Sequence, residues 1–141
     1  GMNLIVFAGA AQLGTLAPVP HLDLKEWDKL LAVNLTANWR MIRAFDPWLR
    51  QSARGEVVAV TSSVGSKPRA YWGTYAATKA ALDNLIATYG EEVSRVTQIR
   101  THIIDPGATR TTMRARAYPG EDPQAVKPAS EAAAMIMAVL R

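Results

Sequence analysis

The sequence predicts an α/β fold: a parallel sheet covered by helices on both faces. Two observations carry this. Three short runs, Asn3 to Phe7 (NLIVF), Glu56 to Val60 (EVVAV) and Arg100 to Ile104 (RTHII), are largely apolar rather than alternating, as strands buried on both faces read. They are separated by helix-length segments, so the order runs strand, helix, strand, helix, strand, helix, which is the pattern of a layered α/β domain.

The first run ends in Ala8-Gly9-Ala10, a glycine turn, and a loop rich in Gly, Pro and Leu follows. Asp23 is a good N-cap for the helical segment LKEWDKLLAVNLTANWRMIRAFDPWLRQ, with a break expected near Asn34 and a bend near Pro47. Leu35, Trp39, Ile42, Phe45 and Leu49 form one apolar stripe on it, and Ala37, Met41, Ala44 and Trp48 a second. A helix apolar on two sides is expected to be covered on two sides. Gly55 introduces the second strand, which Thr61-Ser62-Ser63-Val64-Gly65 leaves. The next helix carries Tyr75 and Lys79, with Leu82, Leu85 and Tyr89 as its packing stripe. The third strand ends at Asp105-Pro106-Gly107, and Ser130 is expected to cap a last helix, EAAAMIMAVL.

The composition excludes several classes. With 141 residues, about half of them hydrophobic, the chain can bury one core and reads as a single domain over 1–141. It has no cysteine, so disulfides, thiolate metal sites and a cysteine nucleophile are ruled out. The net charge is +4, but the arginines are scattered (Arg40, Arg43, Arg50, Arg54) or loosely gathered (Arg110, Arg114, Arg116), so no nucleic-acid partner is expected. No apolar stretch is long enough to span a bilayer and no signal peptide is evident, so a cytoplasmic protein without a membrane role is expected. His21 and His102 lack companions at ligand spacing, so no metal is expected.

In parallel sheets, ligands bind beyond the carboxyl ends of the strands. Those ends carry Gly9, Ser62 and Pro106-Gly107, and the helix beginning beside them carries Tyr75 and Lys79. At i and i+4, Tyr75 and Lys79 share a helix face, where an ammonium could lower the phenol's pKa. Each residue also has a plain reading. Tyr-x-x-x-Lys is short enough to arise by chance, Ser62 and Ser63 are ordinary turn residues, Asn34 can simply break a helix, and Pro-Gly is a common exit from a strand. Asn34-Leu35-Thr36 is formally a glycosylation triplet, which matters only in a secreted protein.

Taken together, Ser62, Tyr75 thirteen residues on, and Lys79 resemble the short-chain dehydrogenase/reductase family. The resemblance extends to Asn34 in EWDKLLAVNL and to Pro106, Gly107 and Thr111 in DPGATRTTM, and it covers nearly the whole chain. It implies a Rossmann-like doubly wound sheet and hydride transfer between an alcohol and a carbonyl with NAD or NADP. Reducing a carbonyl builds negative charge on oxygen, which calls for a proton donor and a second hydrogen-bond donor. By resemblance these are Tyr75 and Ser62, with Ser63 the alternative serine. Lys79 would lower the phenol's pKa and bind the nicotinamide ribose, and Asn34 would support a water relay to Lys79. Ala8, Gly9, Tyr75, Lys79, Pro106, Gly107 and Thr111 would lie against the cofactor.

Two features depart from the family pattern. The nine glycines include no G-x-x-x-G-x-G, the turn whose bare backbone approaches a pyrophosphate. The run LIVFAGA matches the family's fourth strand, with Val6-Phe7 where two amide side chains are usual. The expectation is therefore a truncated Rossmann-like domain with three recognisable strands, lacking the N-terminal dinucleotide-binding half and the last strand. Such a chain should hold the cofactor weakly and be inactive by itself; the alternative is a non-catalytic remnant acting as a binding or interaction module. The small-molecule substrate is unreadable, and a homo-oligomer is expected.

Overall fold

The computed structural model describes residues 2–105, 107, 109–110 and 118–140. Strand β1 (Asn3–Ala8) is followed by helix α1 (Leu24–Leu30), a π-helical turn over Leu31–Thr36, and helix α2 (Ala37–Gln51). Then come β2 (Arg54–Val60), α3 (Gly73–Val93) and β3 (Ile99–Ile104). A two-residue pair, β4 (Thr109–Arg110) with β5 (Lys127–Pro128), precedes the last helix, α4 (Ala129–Val139). The three long strands pair in parallel in the order β1-β2-β3. The expected parallel α/β layer is thus present.

The capping signal at Asp23 works as its chemistry suggests: its carboxylate accepts from the Glu26 amide at 3.0 Å. The break expected near Asn34 takes the form of the π-helical turn, which widens the helix without ending it. Pro47 does not end α2, which continues to Gln51. Ser130 is not a cap. The helix already begins at Ala129, entered from Pro128, whose ring-fixed φ of −68° suits a helix entrance and which has no backbone donor to satisfy.

Because side chains alternate along a strand, Val6, Ala8, Val57 and Ala59 face one side, where Ile42 and Leu49 of α2 and Leu82 and Ile86 of α3 close over them. Leu82 and Ile86 are fully buried, each contributing about 2 kcal/mol of apolar burial. The buried stripe of α3 therefore runs through Leu82, Ile86 and Val93 rather than Leu85 and Tyr89. Those two turn toward α2, where the Tyr89 hydroxyl donates to Asp46 at 2.7 Å.

The expectation of cover on both sheet faces holds for β2 but not β1. Glu56 and Val58 are buried, whereas their β1 neighbours Ile5 and Phe7 are 39% and 47% exposed. The second stripe of α2 is likewise open, with Trp48 64% exposed. Ile42 and Leu49 of α2 rest on the sheet, and Asp46 meets Tyr89 of α3. On the β2 side, Glu56 accepts from Arg54 at 3.2 Å and lies 3.2 Å from the His102 ring. No helix among the described residues is long and apolar enough to cross a membrane.

Candidate active site

The carboxyl ends of β1, β2 and β3 lie side by side, because Ala8 pairs with Ala59 and the Thr61 amide donates to the Ile104 carbonyl at 2.8 Å. Register alone therefore gathers Gly9, Ser62 and Asp105 at one edge of the sheet. Among the described residues, an added Cβ at Gly9 would meet nothing within 4 Å. Gly107, with φ of 75°, takes a conformation that favours glycine, and its amide donates to the Asp105 carboxylate at 2.8 Å. Pro106 and Thr111, both expected at the cofactor, lie outside the described residues.

Helix α3 starts beside this edge and brings Tyr75 and Lys79 in on its first two turns, both nearly buried. The Lys79 ammonium sits 5.8 Å from the centre of the Tyr75 ring and donates to the Val60 carbonyl, the last residue of β2, at 3.1 Å. Among the described residues that bond uses only one of its three donors. Ser62 follows two residues after Val60, in a turn where its hydroxyl accepts from the Val64 amide at 3.4 Å. Nothing is described of the Ser63 side chain. Trp72 meets Tyr75 edge-on at 5.7 Å, and Arg69 lies over the Trp72 ring, so aromatic surface flanks the phenol.

The expected depression of the tyrosine pKa is not what the surroundings produce. Burial pushes the Tyr75 phenol up, and the carboxylates of Asp83 and Asp105 push it further the same way. Burial also pushes Lys79 down, partly opposed by Asp83. The physical reason is that both groups are desolvated, and negative charge from Asp83 and Asp105 reaches the phenol.

Asn34 is fully buried, and its side chain is bonded to the loop after β1 and to α3. Its amide nitrogen donates to the Gln12 carbonyl at 2.9 Å and to the Thr78 hydroxyl at 3.0 Å, and its oxygen accepts from the Gln12 amide at 2.7 Å. The Thr78 hydroxyl in turn donates to the Tyr75 carbonyl at 2.8 Å. The Asn34 side chain thus ties the loop after β1 to the turn of α3 that carries Tyr75.

Sequence reasoning missed Asn38, Thr78 and Asp83. Asn38 is fully buried and brackets Ala10, accepting from its amide at 3.1 Å and donating to its carbonyl at 3.0 Å. An asparagine at i+4 from Asn34, on a helix otherwise apolar on that side, was the available signal. Asp83 lies four residues beyond Lys79, and its carboxylate accepts a short hydrogen bond from the Thr61 hydroxyl.

The family model for short chain dehydrogenases matches residues 3–122. The uncharacterised oxidoreductase YciK of Escherichia coli (strain K12) is 38% identical over 122 residues, which are 86% of this chain and 48% of that protein. The 2,3-dihydro-2,3-dihydroxybenzoate dehydrogenase of the same strain is 26% identical over 85% of this chain and 48% of its own length. Among solved structures, a chain from Escherichia coli CFT073 assigned to the short chain dehydrogenases and complexed with NADPH superposes with a TM-score of 0.85. It is 37% identical, over 90% of this chain and 52% of that one. The chain thus spans about half the length of these curated relatives.

Proposed function

This chain belongs to the short chain dehydrogenase family, and from that premise we propose that it is the catalytic portion of an oxidoreductase interconverting an alcohol and a carbonyl. The observation that carries the reading is a buried phenol, Tyr75, and a buried ammonium, Lys79, one helical turn apart, with Lys79 bonded to the Val60 carbonyl two residues before Ser62.

Tyr75 is assigned as the proton donor to the substrate oxygen during reduction and the acceptor during oxidation, and Ser62 as a hydrogen-bond donor to the same oxygen. A phenol that burial keeps protonated suits the donor role at neutral pH. Asn34, through Gln12 and Thr78, fixes the α3 turn on which Tyr75 stands.

The nicotinamide side of a dinucleotide fits the residues present, since Lys79 keeps donors to offer a sugar hydroxyl and, among the described residues, nothing lies within 4 Å of an added Cβ at Gly9. NAD or NADP would supply the hydride. The residues that would hold it here are Ala8, Gly9, Lys79, Gly107 and, in sequence, Pro106 and Thr111. These 141 residues hold no glycine-rich pyrophosphate turn, so the segment alone is assigned only weak cofactor affinity.

The test is a nicotinamide absorbance assay on the complete protein with a panel of small ketones and secondary alcohols. Turnover should appear with NAD(H) or NADP(H), and Tyr75→Phe should lower kcat by roughly 10²–10⁴-fold, the usual worth of a positioned general acid. Turnover that survives Tyr75→Phe unchanged would remove the assignment.

A further inference from the structure

Tyr75, Lys79 and Asp83 stand at i, i+4 and i+8 on α3 and so share one face of the helix. The turn carrying Ser62 lies against that face. Thr61 hydrogen-bonds the Asp83 Oδ2 atom, and Gly65 packs so closely that an added Cβ would stand 3.3 Å from the Lys79 Cβ, 3.3 Å from the Ala80 nitrogen and 3.4 Å from Asp83 Oδ2. The other Asp83 oxygen, Oδ1, is buried and has no hydrogen-bond partner among the described residues.

That unpartnered oxygen is the informative feature. A neutral side chain could accept the Thr61 hydrogen bond, whereas a carboxylate also leaves its buried Oδ1 without a donor among the described residues, which calls for a reason. Among the described residues, the other charged groups bearing on the site are Lys79 on the same helix and Asp105 after β3, with Tyr75 a further titratable neighbour. Negative charge here favours a protonated lysine and opposes formation of a tyrosinate.

We propose that Asp83 is a positioning residue of the Ser62, Tyr75 and Lys79 site: it pins the serine turn to α3 through Thr61 and sets a carboxylate on the helix that carries Tyr75 and Lys79. The inference rests on the oxidoreductase reading for its meaning. It poises the site toward carbonyl reduction, because the donor stays loaded. Oxidation of an alcohol needs the phenolate, and Asp83 moves that requirement to higher pH. The upward push that Asp83 gives both side chains agrees with this sign.

Two variants separate the roles. Asp83→Asn keeps an acceptor for Thr61 and removes the charge, while Thr61→Val keeps the charge and removes the hydrogen bond. The readouts are NMR titration of ring-labelled tyrosines, with the Tyr75 signal assigned by its loss in Tyr75→Phe, and amide hydrogen exchange over Ser62 to Gly65. Asp83→Asn should move the Tyr75 midpoint to lower pH, with Tyr71, Tyr89 and Tyr118 unmoved and turn exchange near that of the parent. Thr61→Val should speed exchange in the turn and leave the Tyr75 midpoint in place. If Asp83→Asn does not fold, Asp83→Ser supplies a second neutral background. An unmoved Tyr75 midpoint in whichever neutral variant folds, or a turn unaffected by Thr61→Val, would overturn the proposal. Neither readout involves turnover, so an inactive complete protein would count against the oxidoreductase reading and not against this one.

Discussion

Helix α3 presents buried polar groups to two neighbourhoods, and they are built in opposite ways. Toward α2 and the loop after β1, Thr78 joins Asn34 and Asn38 in a network in which both asparagine side chains have their donors and acceptor bonded to Ala10, Gln12, Thr78 or one another's helix. Toward the end of β2, Lys79 spends one donor, Asp83 leaves an oxygen unpartnered among the described residues, and the Ser62 hydroxyl makes one long contact. A satisfied network specifies a shape, because every departure from it strands a polar group. A partly satisfied one is costly to keep and is what a site for chemistry requires. The contrast separates scaffold from site within two turns of one helix.

The sharpest way to break the scaffold half is Asn34→Ala. It orphans the Gln12 amide and carbonyl together, and with three hydrogen bonds lost at a fully buried position the expected cost is about 2–4 kcal/mol. Urea unfolding monitored by circular dichroism measures it. A loss under about 0.5 kcal/mol, the range of an ordinary surface substitution, would show that the network is not holding the loop. Asn34→Asp is a useful companion, since it keeps the acceptor for Gln12 but loses both donors.

What the sequence revealed about these two neighbourhoods follows the range of the interactions. Strands, the Asp23 cap and the Tyr75–Lys79 pair are local patterns, and all are where the residues suggested. Asn34 could be singled out by its family match, but its partner Thr78 lies 44 residues away and Gln12 lies 22 away, and no local spacing announces either. Asp83 was hidden for the same reason, since Thr61 is 22 residues distant. The tyrosine's upward shift depends on burial and on two carboxylates that converge only in the folded chain. The open stripe on α2 shows that a pattern of apolar residues says that a face wants cover, not that these residues supply it.

On the site half, Lys79→Met should act in the opposite direction. Lys79 is 3% exposed and pays for burial of its charge, while methionine has similar length and no charge to desolvate. Stability should therefore be unchanged or rise by about 1 kcal/mol, even as the proposed chemistry is lost. The same unfolding measurement applies. A drop of about 2 kcal/mol or more would mean that the bond to the Val60 carbonyl makes Lys79 scaffold after all, and would erase the distinction drawn above.

The smallest expected effect concerns alkaline solution, and its sign separates the two residues of the site. The Tyr75 phenol is held above the ordinary tyrosine value, chiefly by burial. Its contribution to stability is then fully present below a pH of about 10, where the unfolded phenol begins to ionise, and is lost as pH rises through the folded value. Lys79 works the other way. Its folded pKa lies below the ordinary lysine value, so stability recovers as pH climbs from the folded value toward that ordinary one. Tyr89, also pushed up by burial and by its bond to Asp46, adds to the downward limb in every variant that retains it. Tyr75→Phe keeps the ring in its place against Trp72 while removing the ionising group. Stability measured by urea unfolding at intervals from a pH of about 9 upward should thus fall less steeply in Tyr75→Phe than in the parent, with the two curves parallel at neutral pH. Curves that stay parallel above a pH of about 10 would mean that Tyr75 titrates as freely folded as unfolded. Burial and the nearby carboxylates would then not be keeping its proton in place.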